Sequence, residues 1–382
     1  MAKPKDLRAL IDLTKTTQTL LTHYQSSLAP SNSNSVATKI TENELPNPLD
    51  VIKATTTLLK SHTTTLSLLL ITPPLTPSAI IAKIGDVSSG VLSGMVAAAS
   101  YTPQAGQRDD VGNTMRVELR AQVRRLLGTW GDVLGLLLAM AERRHGTQNN
   151  AAKAKDNGPT ESEKQEVLSA TGVVWEACDA LLKLCADGVV GLVVKKAEEL
   201  RAVLLDAVEE LKEWGEDIED DEDNAEGSGD EDDEFGDEDD IFGASNKLGK
   251  DDKELKELLD TSVKKLKMVG MLYQAITKRR LKTYPAPTAG TKASTTNGDA
   301  GTDASPSRKL EDLLALLKAI PETVDDLASA FYDLDADEAR QTLEKCCGEA
   351  KSAVELVRQS WTGSDDEFTT WSGKWVSAFD AA

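Results

Sequence analysis

Histidine occurs three times in this 382-residue chain, cysteine four times, and aromatic side chains make up only 4%. His23, His62 and His145 stand far apart, with no HExxH and no second histidine at ligand spacing. Cys178, Cys185, Cys346 and Cys347 form no CxxC pair, so neither a zinc site nor a disulfide framework is expected. Cys178 and Cys185 are seven apart and share one helix face, which suits small buried apolar groups. There is no GxxxxGK[ST], no GxGxxG after a strand and no GxSxG elbow, and no two ExxH motifs stand as the pair a di-iron bundle needs. Catalytic, metal-binding and cofactor-binding residues are therefore all expected to be none. The apolar runs reach about half of the ~20 residues a bilayer span needs, and MAKPKDLRAL has no apolar signal segment. An intracellular protein with no membrane partner is the expectation.

Leucine, alanine, glutamate and lysine are plentiful, and no alternating strand pattern of useful length exists. Leu7, Leu10, Thr14, Thr17, Leu21, Tyr24 and Leu28 recur three and four apart and predict a helix over residues 5–28. Asn47-Pro48-Leu49-Asp50 is a start signal: Asn caps free amides, Pro suits the first turn and Asp complements the dipole. That helix lasts to Pro73-Pro74; Thr76-Pro77 opens the next, ending near Tyr101, and a long one covers residues 109–145. Thr160 caps a helix that Asp187-Gly188 breaks from its partner GLVVKKAEELRAVLLDAVEELKEW. Residues 251–282 are helical, and Ser364-Asp365-Asp366-Glu367 opens the last helix as a capping box. The fold expected is all-α: two antiparallel helical bundles joined by a disordered acidic linker. The bundles are assigned to 1–215 and 251–382, the linker to 216–250, and a flexible loop to 285–307.

The linker holds most of the charge. Residues 216–240 contain seventeen acidic side chains and no basic one, so the net charge of -21 leaves only -4 for the rest of the chain (-21 + 17). Such a run cannot bury a core and is expected to be solvated. A calcium loop is excluded, because Ala225 and Glu226 stand where a ligand and a turn glycine are needed. Within the tract DEDDEFG is repeated as DEDDIFG, which offers Phe235 and Phe242 as apolar anchors amid the charge.

NPLDVIKATTTLLKSHTTTLSLLL, the Thr/Pro break after it, and LSATGVVWEACDAL with an acidic stretch behind it resemble the cyclin-D-binding protein family, also called Grap2 and cyclin-D interacting proteins (GCIP). VVWEACDAL is the most specific piece. The resemblance implies a non-enzymatic helical regulator of nucleus and cytoplasm that binds D-type cyclins and adaptors and holds back cell-cycle progression. It implies no basic DNA-reading region, and no nucleic-acid partner is expected.

Four smaller features follow from the residues themselves. Lys264 and Lys265, then Lys278, Arg279, Arg280 and Lys282, have the spacing of a bipartite import signal, or are the solvated face of a helix. Arg279 and Leu281 have the RxL form of a cyclin-docking motif, as do Arg8 and Leu10. Ser305, in Ser305-Pro306-Ser307-Arg308, has the form preferred by a cyclin-dependent kinase. Trp361, Trp371 and Trp375 read as core anchors. Two other readings stay open: a nuclear acidic chaperone for basic proteins, and a vinculin-like helical scaffold. Because the tract lacks apolar surface, deleting residues 216–240 is expected to move the thermal midpoint by only a few degrees, under ~1 kcal/mol, with unfolding still cooperative. Calorimetry of the deletion checks this.

Overall fold

A computed structural model describes residues 4–30, 47–103, 111–150, 158–216, 248, 252–285 and 306–382. Among them the regular structure is all helical: α1 (Pro4–Ser27), α2 (Pro48–Ile71), α3 (Pro77–Asp86), α4 (Ser93–Ser100), α5 (Gly112–Asn150), α6 (Glu161–Glu216), α7 (Lys253–Ala275), α8 (Pro306–Tyr332), α9 (Ala336–Leu356) and α10 (Glu367–Asp380). A π-helical turn, Val87–Leu92, joins α3 to α4, and another, Ile276–Arg280, extends α7. Except for Glu216 and Leu248, the acidic linker lies outside the described residues, as does the 285–307 loop apart from its ends.

The start signals work as their chemistry dictates. The Asn47 side chain accepts from Leu49 N at 2.9 Å. Thr160 and Glu163 form a reciprocal box, Glu163 N donating to Thr160 Oγ1 at 3.2 Å and Thr160 N to the Glu163 carboxylate at 2.8 Å. Of the expected caps, only that of the last helix is displaced. Its cap is Asp366 paired with Thr369, two residues after the expected Ser364 and Glu367, because an ion pair with Arg280 holds the extended Asp366 at the helix start and leaves Ser364 in the preceding loop.

Gly188 breaks α6 with φ 65° and ψ -167°, a conformation essentially closed to side-chain-bearing residues. The chain divides there into two compact units, Met1–Val189 and Val190–Ala382. Residues 190–216 thus fold with the C-terminal unit, although composition assigns them to the first bundle. The acidic tract is the conspicuous break in composition, whereas contacts are decided by the backbone turn at Gly188.

In the N-terminal unit α1 lies along α5, α3 and α4 pack on these and on α2, and the first arm of α6 runs antiparallel to α2. Several buried threonines in these stripes satisfy themselves: Thr14, Thr17 and Thr171 hydroxyls donate to the carbonyls of Leu10, Leu13 and Val167 at 2.6–2.9 Å, whereas the Thr56 and Thr63 hydroxyls find no partner among the described residues. Contrary to the apolar-run count, Pro77–Ser100 is long and apolar enough to cross a bilayer, because the π turn carries α3 into α4 without a break. Ile80, Ile84, Leu92 and Met95 of this stretch are fully buried in the unit's core.

In the C-terminal unit α7 is flanked by the second arm of α6, by α9 and by α10, while α8 and α9 form a hairpin. Gly270 brings α7 close to α6, since a Cβ there would meet Leu205 Cδ2 at 3.0 Å. Pro321, inside α8, has no N–H for the Leu317 carbonyl one turn earlier. Tyr273 of α7 supplies the missing donor, its hydroxyl reaching that carbonyl at 2.5 Å in a fully buried contact. Tyr273→Phe is expected to cost about 1–3 kcal/mol by stranding this buried acceptor. In a Pro321→Ala background, where the new backbone N–H replaces the donor, the same change is expected to cost less, and a double-mutant cycle by denaturant unfolding measures the difference.

Candidate interaction surfaces

The basic run ending α7 is split by the fold. Lys264, Lys278, Arg279 and Lys282 are exposed and Lys265 is half-buried, but Arg280 has no exposed surface. Arg280 donates to both Asp366 oxygens, at 2.6 and 3.0 Å, and to the Arg358 carbonyl at 2.7 Å. Its guanidinium carbon stands 4.6 Å from the centre of the Phe368 ring. Its Nε finds no acceptor among the described residues. Such a charge is stable in an interior only when paired, and Asp366 provides the pairing while capping α10.

Further contacts seat α10 along α7. Trp375 Nε1 donates to the Met268 carbonyl at 3.0 Å, Lys265 Nζ to the Phe379 carbonyl at 3.3 Å, and the Arg279 guanidinium sits 5.9 Å from the Trp371 ring. In the loop before α10, Trp361 Nε1 donates to the Arg280 carbonyl and Tyr284 meets the Trp361 ring edge-on. Trp375 is a core anchor, while Trp361 and Trp371 are half-buried.

These contacts correct two expectations. Leu281 is 1% exposed, so the Arg279–Leu281 pair cannot enter a docking groove while this packing holds; Leu10, of the other RxL match, is also buried. The import pattern loses Arg280 to the interior, and its remaining members lie on a helix rather than an extended chain. Sequence reasoning missed Asp366, 86 positions away from Arg280; the SDDE cap motif was the one local signal near it. Phe235, Phe242 and Ser305 lie outside the described residues.

A second surface lies on the N-terminal unit. The Lys60–Asp179 ion pair and the Trp175 Nε1 bond to Thr64 Oγ1 fix α2 antiparallel to α6. In that register Leu68, one turn after Thr64, comes level with Thr171, between Leu168 and Trp175. Leu68 is 56% exposed, Leu168 48% and Trp175 39%. Large apolar side chains grouped at a surface mark a contact site more often than scattered ones do. The indole N–H is bonded, which holds the ring in place.

Reactive chemistry is weak in the described residues. Burial pushes the Cys178 and Cys346 thiols up to about 12 and Cys185 to about 11, and raises Cys347. These thiols stay protonated and poorly nucleophilic at neutral pH. No group of three or more His, Cys, Asp or Glu among the described residues could hold a metal ion. A cleft of ≈ 300 Å³ between the end of α6 and the start of α7 is edged by Lys212, Glu216, Lys256 and Asp260, with no convergent catalytic pair.

Two all-helical units with closed cores and exposed contact faces define a helical-bundle protein. A family model described as Grap2 and cyclin-D-interacting, N-terminal, matches residues 51–217, and the C-terminal model of the same description matches residues 219–355. The chain belongs to this Grap2 and cyclin-D-interacting family. It is also 21% identical over 333 residues, 87% of this chain and 84% of the relative, to the uncharacterized protein C22E12.18 of Schizosaccharomyces pombe (strain 972 / ATCC 24843). The two models divide the chain in the acidic tract, whereas its contacts divide at Gly188.

The Arg280 bond, together with the Thr369 amide, holds the Asp366 carboxyl below its usual range, against the opposing effect of burial. The stability this supplies is present above the unfolded carboxyl value near ~3.9 and is lost as pH falls through the lowered folded value. Asp366→Ala, which leaves Arg280 buried and unpaired, is expected to cost about 3–5 kcal/mol. Adding Arg280→Met should recover most of this and flatten the acid limb; urea titrations between pH 2 and pH 7 measure both.

Proposed function

We propose that this chain is a non-catalytic helical adaptor that binds partner proteins through helix faces, acting as a cyclin-D-binding regulator of cell-cycle progression in nucleus and cytoplasm. The observation that carries this reading is the exposed Leu68, Leu168 and Trp175 group, because Leu168 and Trp175 belong to LSATGVVWEACDAL, a segment through which the chain resembles its family. Family membership supports the kind of partner, a D-type cyclin or an adaptor. Family membership is also what supports the non-catalytic part. Lys278, Arg279 and Lys282, exposed at the end of α7, are the members of the basic run available to an import receptor.

The seventeen acidic residues of 216–240 favour a second reading, a nuclear acidic chaperone that shields basic proteins with Phe235 and Phe242 as anchors. Binding measured by calorimetry against a purified D-type cyclin and against core histones separates the two. On the adaptor reading Trp175→Ser weakens cyclin binding tenfold or more, about 1.4 kcal/mol, in a protein whose thermal midpoint falls with loss of the Thr64 bond but stays well above the assay temperature. On the chaperone reading the 216–240 deletion abolishes histone binding. Unchanged cyclin affinity in Trp175→Ser combined with Leu168→Ser would remove this face from the adaptor model.

A further inference from the structure

The loop between α9 and α10 holds three hydroxyls in mutual contact. Ser360 Oγ lies 2.9 Å from Thr362 Oγ1 and 2.8 Å from Ser364 Oγ, and the latter two are 3.2 Å apart. Backbone bonds close the turn: Ser360 N donates to the Ser364 carbonyl and Gly363 N to the Ser360 carbonyl, both at 2.9 Å. Gly363, at φ 80°, takes the left-handed conformation that the turn requires. The turn leaves Thr362, Gly363, Ser364 and Asp365 exposed.

Directly after Ser364 come Asp365, Asp366 and Glu367, acidic at each of the three following positions. Kinases with basic substrate grooves choose their acceptors by such charge patterns. Asp365 and Glu367 are exposed and free to be read, and Glu367 lies in the first turn of α10, where helices fray. Thr362 is a poorer acceptor, since Gly363 and Ser364 fill its first two following positions.

We propose that Ser364 is a phosphorylation site for an acidic-directed serine/threonine kinase, and that its phosphate weakens polyanion binding by Lys278, Arg279 and Lys282. In the transfer Ser364 Oγ bonds to the γ-phosphorus of ATP, and the bond from that phosphorus to the β–γ bridging oxygen breaks. ADP leaves with the electron pair, and the hydroxyl proton passes to the kinase's catalytic carboxylate. The product carries about -1.5 to -2 charges at pH 7. Ser360 and Thr362, whose hydroxyls can turn to donate, stand ready to bond the new oxygens, and the N-terminal dipole of α10 favours the charge. The loop bearing it is seated on the basic end of α7: Trp361 Nε1 donates to the Arg280 carbonyl at 3.0 Å, and the Tyr284 and Trp361 rings are centred 4.9 Å apart. Between exposed groups the effect is screened, so a roughly two- to fivefold loss of heparin affinity at low salt is expected, fading as salt is added.

The inference needs no cyclin and fails or holds independently of the adaptor reading. The full chain, Ser364→Ala and Thr362→Ala are each treated with an acidic-directed casein kinase and ATP, and sites are mapped by fragmentation mass spectrometry. Ser228, followed by Gly229, Asp230 and Glu231, serves as an internal control of kinase activity. Phosphate on Ser364 in the full chain and in Thr362→Ala, absent from Ser364→Ala, is the expected result. Phosphate on Ser228 with none on Ser364 overturns the proposal. Heparin titration then compares the phosphorylated full chain with Ser364→Ala treated in the same way, so that both carry the Ser228 phosphate, after thermal midpoints show both folded. Weaker binding by the Ser364-phosphorylated chain supports the coupling, and equal binding at low salt overturns it.

Discussion

A guanidinium with no exposed surface is the constraint on which the C-terminal unit depends. Leaving water costs an ion several kcal/mol, so Arg280 can occupy the interior only if a carboxylate and further acceptors meet it there. Asp366 and the Arg358 carbonyl do so, and the Phe368 ring covers the cation's face. Asp366 has a second duty as the cap of α10, and one side chain therefore sets both the charge balance and the starting point of the last helix. The tryptophans follow, with Trp361 and Trp375 each giving an indole N–H to a carbonyl of the α7 segment. The C-terminal residues are part of the core.

The same constraint determines what the basic run offers to the outside. Arg280 and Leu281 are spent on the interior, so the exposed charges are Lys278, Arg279 and Lys282. An RxL or KRRLK pattern read as a string assigns all its members to a partner. In the folded protein the middle members serve as mortar and only the flanking ones face water.

The N-terminal unit solves its polar problem differently. Thr14, Thr17 and Thr55 return their hydroxyls to their own helices and need no help from a neighbour, while the buried Thr56 and Thr63 hydroxyls of α2 find no partner among the described residues. In the C-terminal unit the corresponding bond crosses between helices, where Pro321 frees a carbonyl and Tyr273 takes it. The first device is local and tolerates variation around it; the second ties α7 to α8 at one register. The surfaces differ as well, an apolar group on one unit and a basic helix end on the other.

Helix starts at Asn47 and Thr160, the break at Gly188, and the apolar stripes of α1 and α7 were all legible in the residues, because caps, left-handed turns and periodicity act within a few positions of chain. The all-α class and the family resemblance rested on the same local patterns. The location of the unit boundary at Gly188, the burial of Arg280 and Leu281, the shift of the last cap to Asp366 and the exposure of Trp175 were not legible. Each depends on a partner far away in the chain: Asp366 for Arg280, α2 for Trp175, and α7 for the second arm of α6. Sequence by itself determined which segments coil and where they stop, since those free energies are local. Only the tertiary structure decided which charges and rings are left facing water, because burial is a property of the neighbours a residue acquires.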